Sequence, residues 1–300
     1  MSPDYSIQVR FYPPPEDLRG YFTTFYVTEI DPGSNPKLHD SLHPEWGGMR
    51  FFTSPGRGPD AWTDHGQRLE DIQFVTQGPS SHPIHFAIPK TRMWGFGLLP
   101  LGWARFVGLP AADFANQICD GFKHAECEPF RPLAKAMLAG SGDEPAELAT
   151  LIEFFRKFPS RGKIDEKRIV AIHQAIVDPQ LTTVQELVER VAASQRTIER
   201  LSHKHFGFSP KLLLRRQRFM RSLAQFMVDP SLKWIGAMDG HYHDQAQFVR
   251  DFHEFMGMTP REYSGQPHPV LERFVQERIK VAGAGVQTLD LPSGVGGKTA

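Results

Sequence analysis

Little in this chain favours secretion, a membrane or catalysis. Two cysteines, Cys119 and Cys127, stand among 300 residues. That is too few for a disulfide framework or a four-cysteine zinc site, so a reducing, cytoplasmic compartment is expected and both cysteines should pack as small apolar groups. No apolar run reaches the roughly 18 to 20 residues needed to cross a bilayer. Met1 to Arg10 shows no basic start followed by an apolar core, so no signal peptide is expected. There is no Gly-rich phosphate loop, no Ser-centred nucleophile turn and no His-Glu-x-x-His run, so no catalytic residue and no cofactor is assigned. Net charge is missing as well, with 34 Lys+Arg against 34 Asp+Glu.

That balance is uneven along the chain. Residues 1–160 carry 14 basic against 19 acidic side chains, whereas residues 181–265 carry 12 against 9 and five histidines besides. The C-terminal half therefore suits a polyanion, and the N-terminal half does not. Three hundred residues suit two domains.

The N-terminal half reads as mainly β. Tyr21–Thr28 is rich in aromatic and β-branched residues, and Arg50–Ser54, Ile72–Thr76, Pro83–Ile88 and Met93–Leu99 are further short candidates separated by Pro-Gly, Gly-Pro and Asn-Pro turns. This pattern predicts a small barrel or sandwich of cupin-like build, followed by helices over Ala111–Gly121, Arg131–Leu138 and Glu144–Phe158. His39, His43, His65, His82 and His85 are the metal-ligand candidates. His39 and His43 bracket a Pro-bounded stretch expected to be a loop, and His82 and His85 fall on opposite faces of a strand. Surface or core placement is the expectation for each, and no metal is assigned.

The C-terminal half repeats a phrase. His205-Phe206-Gly207-Phe208-Ser209-Pro210 returns 50 residues later as Phe255-Met256-Gly257-Met258-Thr259-Pro260. At the same offset Ser194 matches Asp244, Ile198 matches Phe248 and Arg200 matches Arg250. Each copy is a cap residue, a short helix bearing arginine, and a Gly-x-Ser/Thr-Pro stop. Thr183 and Glu186 form a capping box ahead of an apolar stripe of Val184, Leu187, Val188 and Val191. Ala192-Ala193 then turns the chain into a helix over Gln195–Phe206. There Ile198, Leu201 and His205 point inward, while Arg196, Glu199, Arg200 and His203 share the opposite face. Pro210 starts a helix to about Val228 with Arg215, Arg216, Arg218 and Arg221 placed to meet phosphate or acidic neighbours, and so to contact DNA or stabilise the linker helix. Leu232, Ile235 and Met238 give the next helix its buried face. Asp244 caps a last helix that turns Gln245, Ala246, Gln247 and Arg250 outward. Arg pairs with guanine, Gln with adenine, Glu with cytosine, and Ala meets the thymine methyl. Two short helices joined by a tight turn, twice over, predict paired helix-turn-helix units.

These spaced motifs, through Tyr242-x-Asp244-Gln245-x-x-Phe248-x-Arg250-x-Phe252 and Tyr263, resemble the AraC/XylS family of bacterial transcription regulators over about residues 181–264. Tyr12-Pro13-Pro14-Pro15 and the strands after it resemble the cupin-like sensor region of some members. The resemblance implies an α+β chain of two domains. Residues 1–160 would sense an effector, 161–180 would form a connecting helix, 181–265 would be an all-α domain of two helix-turn-helix units on one long linker helix, and 266–300 a further helix and flexible tail. It also implies double-stranded promoter or operator DNA, RNA polymerase, a small-molecule effector and a second copy of the chain as partners, with no membrane role. Two positions depart from the family pattern. Ser202 replaces a core phenylalanine, and His241 replaces a turn glycine, which would strain a positive φ. Alternatives from other classes are a metal-dependent cupin enzyme fused to the regulator domain, and an adaptor that binds protein.

Overall fold

The computed structural model describes residues 4–159, 163–283 and 285–292. Its N-terminal half holds two antiparallel sheets. The larger is built from β1 (Ser6–Tyr12), β2 (Phe22–Asp31), β4 (Gly48–Thr53), β7 (Phe74–Gln77), β9 (Thr91–Leu98) and β10 (Ile118–Asp120), in the order β1-β2-β9-β4-β7-β10. The smaller is built from β3 (Leu38–Leu42), β5 (Asp60–Thr63), β6 (Arg68–Leu69) and β8 (Ile84–Ile88), in the order β3-β8-β5-β6.

The large sheet is covered on both faces, which is why its strands read as continuous apolar runs instead of alternating. After a single turn α1 (Pro100–Gly102), helices α2 (Arg131–Leu138) and α3 (Glu144–Lys157) pack on one face. There Phe25, Val27, Phe51, Trp94 and Phe96 meet Phe130, Leu133 and Phe155. From the other face Val9, Phe11, Tyr26, Phe52 and Met93 meet Ile84 and Ile88 of the small sheet. Within β2 the residues alternate between the two cores, as the two-residue period of a strand requires.

The α-helices that follow among the described residues are α4 (Glu166–Val177), α5 (Val184–Val191), α6 (Gln195–Phe206), α7 (Pro210–Val228), α8 (Lys233–Ala237), α9 (Gln245–Met256), α10 (Pro260–Ser264) and α11 (Pro269–Ala282). The α4–α6 group does not close a core of its own. Leu187, Ile198 and Phe206, fully buried, share one cluster with Trp46, Leu99 and Leu101 of the β-rich half. The second group does close one: Phe219, Met220 and Leu223 of α7 meet Phe248, Phe252 and Phe255 of α9.

Several expectations are corrected. Ala111–Gly121 is not one helix but a 3-10 turn followed by a strand. A short turn at Ala111–Phe114 ends at Asn116, which has φ +58°, and the chain then pairs as β10 with β7. Edge pairing has overridden local helical spacing here. His39–Leu42 is strand, not loop, because β3 pairs with β8 across its whole length. In α8 it is Trp234 and Ala237, not Leu232 and Ile235, that face inward. Ile235 is 72% exposed, and Trp234 stacks on Phe226 at 3.7 Å. Part of the expected flexible tail is packed, since Val286 and Thr288 are buried. Ala284 and residues 293–300 lie outside the described residues. Cys119 and Cys127 are buried free thiols.

Candidate nucleic-acid interface and ligand cavity

The repeated phrase has a physical account in both copies. Ser194 Oγ accepts from the Thr197 amide at 3.3 Å to start α6, and Asp244 Oδ1 accepts from the Gln247 amide at 2.6 Å to start α9. Each satisfies an amide that has no partner inside its helix. Gly207 and Gly257 end the two helices at φ +86° and +67°, a conformation that side chains resist. Gly207 has a second constraint, because a Cβ there would lie 2.6 Å from Pro79. Ser209 and Thr259 then cap the following helices, and Pro210 and Pro260 occupy first-turn positions where no amide is needed.

The helices so fixed turn the expected faces outward. Arg196, Glu199, Arg200 and His203 on α6 are exposed, as are Gln245, Ala246 and Arg250 on α9. Gln247 is half-buried, and its Oε1 accepts from the His243 amide at 3.1 Å. Glu199 accepts from Gln195 at 3.0 Å. Among the described residues Arg196, Arg200 and Arg250 form no ion pair, so three guanidinium groups on two helices face solvent with their charge unspent. The 19 residues of α7 span about 28 Å at a rise of about 1.5 Å each.

The linker arginines are engaged within the protein, Arg215, Arg218 and Arg221 with the acidic neighbours that were the alternative to phosphate. Arg215 donates to Asp251 at 2.6 Å and also pairs with Glu254. Arg218 reaches the same Asp251 at 2.9 Å, and Tyr242 Oη donates to it at 3.1 Å. Arg221 holds Asp239. These side chains clamp the second helix-turn-helix unit to α7. Arg216 is fully buried between the halves: it donates to the Ser80 carbonyl at 2.9 Å and lies 4.2 Å from the centre of the Trp46 ring. No carboxylate pairs with it among the described residues, and burial pushes its pKa down to about 9.

The two departures from the family pattern resolve differently. Ser202 is fully buried with its hydroxyl unpartnered, as its place in the core demands. His241 is not strained. The positive φ in the first turn falls on Ala192, at +51°, while in the second turn the Asp239 carboxylate accepts from the His241 amide at 2.9 Å.

The histidines scatter. His43 bonds Tyr263 Oη at 2.8 Å, His85 bonds Asp64 at 2.9 Å, and the His65 and His82 rings meet edge-on at 4.9 Å. Among the described residues no three His, Cys, Asp or Glu side chains converge as metal ligands. Nor is any helix long and apolar enough to cross a membrane among those residues.

Between the two sheets lies a cavity of about 140 Å³, lined by apolar side chains including Phe11, Phe52, Ile84 and Met93, with α11 across its mouth. One end is polar. Arg50 donates to Glu45 at 2.6 Å and to Gln77 at 2.8 Å, and the Gln77 amide nitrogen is buried without a partner. Sequence reasoning missed Arg50, and the signal that could have found it is a lone charge opening the apolar strand Arg50–Ser54. The cavity left no such signal, since it depends on how two sheets face each other.

Residues 187–266 match the family described as a helix-turn-helix domain. No curated protein matches the chain. Solved structures of similar build include ToxT from Vibrio cholerae O395, at 9% identity over 87% of this chain and 96% of that one, with a TM-score of 0.41. ToxT from strain SCE256 with an unsaturated fatty acid bound gives 10% identity over 86% and 94%, with a TM-score of 0.40. The AraC-like transcriptional activator CuxR gives 13% identity over 73% and 87%, with a TM-score of 0.30. These likenesses are of general build and decide nothing about individual residues.

Proposed function

We propose that the chain, whose residues 187–266 match an AraC-type helix-turn-helix domain, is a transcription regulator that reads DNA as follows. Helix α6 enters one major groove with Arg196, Glu199, Arg200 and His203, and α9 enters the next with Gln245, Ala246, Gln247 and Arg250. The observation that carries this reading is the free charge of Arg196, Arg200 and Arg250 on two helices capped at matching positions by Ser194 and Asp244. The rise of α7, about 28 Å, is near one DNA turn of about 34 Å. The chain acts as a regulator, not an enzyme, in the cytoplasm on the nucleoid. RNA polymerase and a second copy of the chain are its partners on a two-site promoter. The effector site is the cavity between the sheets, where an apolar body of benzene size would be enclosed.

The test begins with selection of bound sequences from random DNA, followed by gel shift on the selected site. Arg200→Ala and Arg250→Ala should each weaken specific binding by about 1–3 kcal/mol and relax sequence preference locally. Wild-type affinity should fall steeply with salt. Unchanged affinity in both variants removes these helices from the grooves, and salt-independent binding favours the adaptor reading.

A further inference from the structure

We propose that Gln287 is a tethered occupant of the cavity's polar end, standing where the uncharged, amide-like head group of an apolar effector would sit, and that the effector's entry expels the segment around it and loosens the linker helix. The proposal rests on the reading of the cavity as the effector site.

Gln287 reaches the polar end of the cavity from a short turn at Gln287–Leu289, beyond α11. Its Nε2 donates to Glu45, and its Oε1 accepts from Thr23 Oγ1 at 3.3 Å. Space for it is built into β9: a Cβ on Gly97 would stand 2.0 Å from the Gln287 oxygen. The opposing wall dictates the head group. Glu45 already neutralises Arg50, so one carboxylate oxygen is left seeking a donor and no charge is left to balance. A carboxylate would face Glu45 and be repelled. An amide donates its N–H there, and its carbonyl can accept from Thr23 or from the unpartnered Gln77 nitrogen.

The same turn is fastened to the DNA-binding half. Gln217 on α7, fully buried, donates to the Thr288 carbonyl at 2.6 Å. Val286 packs in the cluster of Phe219, Met220 and Phe252 that holds the second helix-turn-helix unit. Withdrawing Gln287 from the cavity therefore withdraws a wedge from beside α7.

The probes are benzamide and its near-isosteric acid benzoate, measured by calorimetry on the full chain, with Gln287→Ala and the shortened Gln287→Asn as variants. If the wild-type cavity is mostly self-occupied, benzamide should bind both variants about tenfold tighter or more than wild type. Benzoate should bind none. Saturating benzamide should raise amide hydrogen exchange along residues 217–224 of the wild-type chain, and Gln287→Ala should raise it without ligand. Equal benzamide affinity in all three chains, or unaltered exchange in α7, overturns the tethered occupant and leaves the cavity reading intact. If folded variants bind neither benzamide nor benzene, the cavity reading falls and the proposal falls with it.

Discussion

Arg216 brings a positive charge into the seam between the halves, where an indole ring and one carbonyl oxygen stand in for a carboxylate. A buried cation with so little compensation is poor value for stability, and a hydrophobe of similar shape is often neutral or better in such a place. Arg216→Met should hold or raise the urea midpoint, whereas Trp46→Ala should lower it by about 3–5 kcal/mol in unfolding free energy. Ser202 poses the same question on a smaller scale. Its hydroxyl is buried without a partner, so Ser202→Ala should be neutral or stabilising by about 1 kcal/mol, read from the same denaturation curves. Loss of more than that would mean the hydroxyl bonds within its helix or to water. The core place of Ser202 was legible through the family resemblance, whereas the surroundings of Arg216 were not. Arg216 sits in an arginine-rich run whose pattern suits phosphate or acidic neighbours, and only the docked β-rich half, with Trp46 and Ser80, shows why this one turns inward.

At the scale of elements, what was legible was local. The caps at Thr183, Ser194 and Asp244, the left-handed glycines and the prolines after them act within four or five residues, so spacing alone placed α5, α6 and α9. What depended on distant partners was misread: β3 and β10 exist because β8 and β7 accept them, and α8 turns Trp234 inward because Phe226 and the Pro260 carbonyl wait for it. The linker clamp is also non-local, joining residues 33 and 36 positions apart through Asp251. Asp251→Ala would leave Arg215, Arg218 and Tyr242 facing an emptied site. About 3 kcal/mol should be lost from the second unit, seen as selective hydrogen exchange in α9 while α6 stays protected. Uniform destabilisation of both units would contradict a clamp confined to one.

Across the whole molecule, buried histidines tie stability to pH. Burial pushes His43 and His173 down to about 3, with the charges of His268 and Arg216 adding to the respective shifts. Burial, with Lys204 and Arg200, pushes His205 down to about 4. These rings are neutral when folded and would gain protons on unfolding, so their contribution is complete above the ordinary histidine value of about 6.5 and drains away below it. His268 runs the other way. Burial opposes its charge, but Asp40 and the Tyr263 carbonyl more than offset that and raise its pKa. Its contribution is complete below about 6.5 and is lost as pH rises through the raised value. The unfolding free energy from urea denaturation should therefore peak near pH 6.5 and fall between about 6.5 and 5 with a slope approaching about 1.4 kcal/mol per pH unit for each neutral ring. His173→Gln should flatten that slope by one proton, and an unchanged slope would take His173 out of the account.

The shared cluster of Trp46, Leu99 and Leu101 with Leu187, Ile198 and Phe206 also bears on how such a protein can be cut and recombined. Splicing at residue 180 would leave part of the first helix-turn-helix unit's packing behind in the discarded β-rich half. The tolerant seam for building chimaeras lies further on, where the second unit carries its own core. A borrowed second unit, joined through α7, would inherit a first unit already welded to the β-rich half. New DNA specificities should thus be easier to graft onto one half of the recognition surface than the other.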